Sequence, residues 1–161
     1  MGSKGQTFGD LTLFIILLVV VGVASVFGWM IYSDLNDEIQ ADGDMSAEAQ
    51  AASQNVADNY PSMFDNVFLF ILILFWIFLL VSSFLIDTHP IFFVVTVILL
   101  LFVFVVGMIL ANAYEEVTSD PDLIGFADDF PITSWVMTNF LLVIIVIGLS
   151  AGLALYAKNK L

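Results

Sequence analysis

VFLFILILFWIFLLVSSFLI, residues 67–86, decides the fold, because it runs without a single charged side chain. A helix rises about 1.5 Å per residue and a bilayer's hydrocarbon core is about 30 Å thick, so roughly 20 apolar residues cross it. Working outward, Asp87-Thr88-His89-Pro90 separates this run from IFFVVTVILLLFVFVVGMILANA, residues 91–113. Two more uncharged runs lie towards the ends, LTLFIILLVVVGVASVFGWMIY at 11–32 and VMTNFLLVIIVIGLSAGLALYA at 136–157. Each is long enough to span. The expectation is an all-α polytopic membrane protein: four transmembrane helices in two hairpins, forming a single four-helix transmembrane domain over residues 1–161. A hydrophobic share of 61% and a mean hydropathy of +1.05 agree, since both lie outside the soluble globular range.

The first run does not read as a cleavable signal peptide, being too long for an h-region and lacking a strongly basic leader. Gln6 stands where a myristoylation signal needs Ser or Thr.

Charge is one-sided. Sixteen acidic residues face three lysines and no arginine. Nucleic acid is excluded as a partner, because nothing basic can replace phosphate counterions. A basic patch for anionic headgroups is equally missing. An acid-rich, base-poor exterior suits a salty environment. Lys4 precedes the first run, and Lys158 and Lys160 follow the last. The positive-inside tendency therefore puts both termini on the same, cytoplasmic or interior, side.

All the acids except Asp10 and Asp87 fall in two segments expected to be loops, 33–66 and 114–135. Within the first, Asp42-Gly43-Asp44 signals a turn, and residues 46–59, rich in Ala, Gln and Glu, predict a short helix ending before Pro61. Trp29, Tyr32, Tyr60, Tyr114, Trp135 and Tyr156 stand where a membrane's aromatic belts are expected, whereas Trp76 lies mid-span. Ala57-Asp58-Asn59-Tyr60-Pro61 before the second run is echoed by Ala127-Asp128-Asp129-Phe130-Pro131 before the fourth. Two hairpins of the same orientation, a parallel repeat, would produce that echo. So would the ordinary preference of acids, aromatics and proline for an interface.

Little in the chain offers chemistry. No Asp, Glu, Lys, Arg or His lies within the four runs, where ionisable residues mark proton relays, ion paths or cofactor ligands. No cysteine is present, which removes disulfides and thiolate metal sites. Asp87, Thr88, His89 and Pro90 read as a tight hairpin turn, with Asp87 or Thr88 capping the next helix and Pro90 in its first turn. Placing Gly43 at the sixth position of a calcium loop puts Glu38 first and Ala49 last, so the bidentate final Glu is missing. Weak divalent cations at the acidic loops are the most that segment implies. Neither an enzyme nor a cofactor nor a resident metal is expected.

Small residues mark the candidate helix-packing positions: Gly22, Ala24, Ser25 and Gly28 in the first run, Gly148 and Gly152 in the fourth. Such spacing lets backbones approach closely, and close packing drives helix association in lipid. The middle runs are crowded instead with Phe68, Phe70, Phe75, Phe78, Phe102 and Phe104 among others. The expectation is close packing through the outer spans, with a Phe-rich central hairpin facing lipid or sister subunits.

Ile86-Asp87-Thr88-His89-Pro90-Ile91-Phe92-Phe93, then Ala113-Tyr114-Glu115-Glu116, then Phe130-Pro131-Ile132-Thr133 form a series over the second half of the chain. It resembles small multi-spanning membrane proteins of membrane-containing icosahedral viruses of bacteria and archaea. The resemblance implies a structural protein of the virion membrane, packing with capsid proteins or other membrane proteins. Three functional expectations follow. The first is a non-enzymatic integral membrane structural subunit of a larger assembly, a virion membrane above all, with the lipid bilayer, neighbouring proteins and its own copies as partners. The second is a pore former, a holin or a cation-attracting channel subunit. The third is an accessory subunit of a membrane enzyme complex.

Overall fold

The computed structural model describes residues 6–85 and 91–158. Among them every regular element is helical: α1 (Gln6–Ala41), α2 (Ala47–Leu85), α3 (Ile91–Thr118), α4 (Ile124–Ala127), α5 (Pro131–Thr138) and α6 (Phe140–Lys158). Lipid offers no partner for backbone N–H and C=O groups, so long apolar runs must satisfy them internally as helices. Three helices, α1, α2 and α3, are long and apolar enough to cross a membrane, and α5 with α6 makes a fourth if that bent pair counts as one span.

The segment expected as the first loop is mostly helix. α1 has 36 residues and α2 has 39, about 54 and 58 Å of helix, well beyond a bilayer core. The surplus stands out as a helical hairpin, here called the stalk. Only residues 42–46 turn between the two helices. The Asp42 carboxylate accepts from the Asp44 N–H at 2.9 Å, and Ser46 caps α2 by accepting the Ala49 N–H at 3.2 Å. Pro61 does not end the helix as expected, because α2 runs straight through it. Proline there forfeits the bond to the carbonyl four residues back and crowds that carbonyl with its ring, and packing against α1 on either side of Pro61 offsets the cost. Asn59 Nδ2 donates to the Asn55 carbonyl at 2.7 Å and Ser62 Oγ to that of Asn59 at 3.1 Å, adding local bonds around the break. The second expected loop, 114–135, is likewise largely helical, holding the end of α3, all of α4 and the start of α5.

The fourth run is not one straight span. α5 and α6 meet at an angle of 75°, with Asn139 between them at φ −101° and ψ 23°. Its backbone N–H and its Nδ2 both donate to the Trp135 carbonyl, at 3.0 Å and 2.9 Å. A side chain competing for its own helix's acceptors favours such a break.

α1 and α2 run antiparallel, joined by the 42–46 turn. α1 packs on α2 and α3, and α6 packs on the same two helices. Each outer span thus packs mainly on the two middle helices. Ile15, Leu18, Phe68, Val103, Met137 and Phe140 are among the side chains filling the shared core. The phenylalanines of the middle helices divide. Phe70, Phe78 and Phe102 face outward, as lipid permits, Phe68 is buried, and Phe75 stacks on Phe14 of α1 with the rings 10° from parallel. Mid-span Trp76 is explained by α6, where its indole N–H donates to Ser150 Oγ at 2.8 Å.

Candidate functional site

The α2–α5 junction holds the only buried carboxylate among the described residues. Asp65 is 3% exposed. Its Oδ1 accepts from the Thr133 N–H at 2.6 Å and the Thr133 hydroxyl at 2.8 Å, and its Oδ2 accepts from the Ile132 N–H at 2.8 Å. These amides belong to the first turn of α5, whose donors have no partner within the helix. Asp65 thus caps α5 from a different helix, and its charge meets the positive end of the helix dipole. No side-chain polar atom buried among the described residues lacks a partner.

Two further contacts fix the same corner. Trp29 Nε1 on α1 donates to Asp129 just before α5 at 2.7 Å. Tyr114 Oη on α3 lies 3.3 Å from Ser134 Oγ, which donates to the Ala127 carbonyl at 3.1 Å. Below them Val26, Leu123, Ala127 and Phe130 form a second, smaller core. Both halves of the echoed sequence meet here, since Tyr60 packs on the same cluster and stacks with Trp29 and Phe64.

Further out, polar side chains join the stalk helices. Tyr32 Oη donates to the Ser53 carbonyl at 3.0 Å. Ser53 Oγ donates to Asn36 Oδ1 at 2.8 Å, and Asn36 Nδ2 donates to Gln54 at 3.2 Å. Gln40 Nε2 reaches the Gln50 carbonyl at 2.8 Å, while Gln50 Nε2 reaches that of Asp42 at 3.1 Å. Asp34, Asp37, Glu38, Asp42, Asp44, Glu48 and Asp58 are all exposed around this ladder.

The small residues singled out in the sequence take different places. Gly22 is buried where a Cβ would stand 3.3 Å from both Met137 and Thr133, so α1 approaches α5 closely there. Ser25 is buried, its hydroxyl donating to the Val21 carbonyl at 2.8 Å, whereas Ala24 is exposed. Gly28 gives room to the Tyr60 hydroxyl. Gly148 borders a small apolar cavity of about 20 Å³ between α1, α2 and α6, and Gly152 faces open space. The hairpin turn Asp87, Thr88, His89 and Pro90 lies outside the described residues.

An open groove of about 440 Å³ sits at the α5–α6 elbow, lined by Met108, Asn112, Glu115, Thr138 and Leu141 among others. Among the described residues no three His, Asp or Glu side chains gather as a metal site would require.

Asp65 was not legible as a special residue when counted among loop acids. A signal existed: Asp65, Phe68 and Leu72 recur at helical spacing, and the two apolar members are core residues. Compared with known proteins, the chain matches no family model, no curated protein and no solved structure.

Proposed function

We propose that this chain is a non-enzymatic, integral membrane structural subunit of a larger assembly, and that the assembly is a virion membrane. One observation carries the reading: Asp65, the buried carboxylate among the described residues, spends all its bonding on capping α5, while the acids of the projecting hairpin and of residues 115–129 are exposed. Side chains that could relay protons or hold ligands are instead used to fix helices to one another. The interior supports this too, being filled by packed Leu, Val, Ile, Met and Phe with an apolar cavity of only about 20 Å³. In this reading four segments cross, counting α5–α6 as one, and both termini lie on the cytoplasmic or interior side. The stalk stands on the opposite face to meet neighbouring proteins. The virion setting rests on the sequence resemblance in the second half of the chain.

Quantitative mass spectrometry of purified, lipid-containing virions from the source tests the assignment. The polypeptide is expected in fixed proportion to capsid protein and to leave the particles with the lipid. Its absence would end the viral reading, and stoichiometric recovery with a redox enzyme would place it as an accessory subunit. Ion conductance above the lipid background after reconstitution would instead make it a pore former.

A further inference from the structure

Above the aromatic belt, the packing of the stalk is inverted. The contacts between α1 and α2 include the polar ladder of Asn36, Ser53, Gln54, Gln40 and Gln50, while apolar residues are left outside. Ala49, Ala52 and Val56 are all exposed, Val56 by 47%, and Met63, 56% exposed, extends the row towards the membrane. They recur at the alternating three- and four-residue spacing of a coiled-coil seam, with Asn59 filling the one intervening position. Ala49, Ala52 and Val56 each directly precede a residue turned against α1, namely Gln50, Ser53 and Ala57. Leu35, 48% exposed, precedes Asn36 in the same way. In an antiparallel pair these preceding positions rotate to the same side. One face of the stalk is therefore a helix-packing seam on which none of the described residues packs.

Its surroundings specify the occupant. Asp34, Glu38, Asp42, Glu48 and Asp58 are exposed on the stalk, and no lysine or arginine lies between Lys4 and Lys158. A second copy would bring the same acids and no base to the contact, which like charges oppose. The bilayer core does not cover this face either, because Ala49, Ala52 and Val56 lie along α2 between Glu48 and Asp58, both exposed, and bare carboxylates are costly in hydrocarbon. We propose that this face docks a helix of a partner protein whose apolar seam is flanked by lysine or arginine. The inference rests on the structural-subunit reading and names the chemistry of its partner.

The test uses the full chain in nanodiscs of zwitterionic lipid, with empty discs as background. The probe is a synthetic three-heptad helix with leucine at its seam and lysine beside it. Two comparison peptides have the same composition scrambled, or glutamate in place of lysine. The lysine-flanked helix is expected to bind saturably, at least about tenfold tighter than either comparison, and to weaken as salt rises. The double variant Ala52→Gln, Val56→Gln should lose that tenfold advantage, while Ala51→Gln on the polar face should keep it, with circular dichroism confirming unchanged helix content. Equal binding of the scrambled peptide would overturn the proposal, as would an unaffected double variant. Efficient disulfide trapping between copies carrying Ala52→Cys would assign the face to self-association and overturn it as well. A failure of the structural-subunit reading would show separately, as conductance or as absence from the virion, with the peptide results unchanged.

Discussion

Replacing Asp65 should loosen α5 before it disturbs anything else. In Asp65→Ala, the Ile132 and Thr133 N–H groups lose acceptors at 2.8 and 2.6 Å and, as backbone, cannot turn elsewhere. The Thr133 hydroxyl, at 2.8 Å, can rotate towards a carbonyl of its own helix. Each orphaned buried donor costs about 1–3 kcal/mol, so the two amides together give roughly 2–6 kcal/mol, and partial water entry favours the lower half. Asp65→Asn keeps one carbonyl oxygen for the Thr133 pair but turns an amide against the Ile132 N–H and removes the charge at the helix end. One orphan at about 1–3 kcal/mol is expected there. Thr133→Val removes only the hydroxyl bond, about 1 kcal/mol. Unfolding in mild detergent should rank the variants accordingly, and amide exchange at Ile132 and Thr133 should accelerate most in Asp65→Ala. A cost below about 1 kcal/mol for Asp65→Ala, or exchange that speeds up uniformly along the chain, would refute the capping role.

Glycine substitutions should divide by environment. Gly22→Leu forces a side chain between α1, Met137 and Thr133 and should cost about 1–3 kcal/mol, whereas Gly152→Leu, which meets nothing, should stay within about 0.5 kcal/mol. Unfolding in the same detergent measures both. Trp76→Phe deletes the indole bond to Ser150 and should cost about 0.6 kcal/mol, the usual yield of a side-chain bond between membrane helices, measured by a double-mutant cycle with Ser150→Ala. Asn36→Ala removes the acceptor of Ser53 and the donor to Gln54. It should raise amide exchange across residues 36–54 while leaving the membrane-embedded amides protected.

The long apolar runs could be read as spanning helices because in lipid the backbone has no alternative partner, so length and absence of charge suffice. What escaped the sequence depended on contacts between distant segments. Pro61 signals a helix end in isolation, yet α1 lies alongside and holds α2 continuous. Asn139 sits inside an uncharged run that looks unbroken, and its side chain ends α5 by bonding the Trp135 carbonyl. Asp65 resembles its exposed acidic neighbours until α5, more than sixty residues later in the chain, supplies the donors that bury it. The turn Asp42-Gly43-Asp44 was legible because its signal is local, with the bond from the Asp44 N–H to Asp42 spanning two residues. The glycines were legible as small, but which of them meets a neighbour depends on helix rotation: Gly22, Gly28 and Gly107 face side chains of another helix, whereas Gly152 does not.

The stalk's rigidity has a different origin from that of the membrane core. Side-chain hydrogen bonds in contact with water contribute only about 0.5–1.5 kcal/mol each, and a helix pair joined mainly by such bonds would be marginal alone. The stalk helices are instead continuations of α1 and α2, whose lower halves are clamped by Phe14 on Phe75 and by the aromatic group of Trp29, Tyr32, Tyr60 and Phe64. Helix nucleation, the costly step, is completed inside the membrane, and the stalk needs only propagation. Its apolar positions are thus free to remain outside without the hairpin coming apart, which a free-standing soluble hairpin could not sustain. A membrane-anchored helix pair can therefore present a dry seam to a partner at a fixed height above the bilayer, and α5, pinned by Asp65 and Trp29, braces its base.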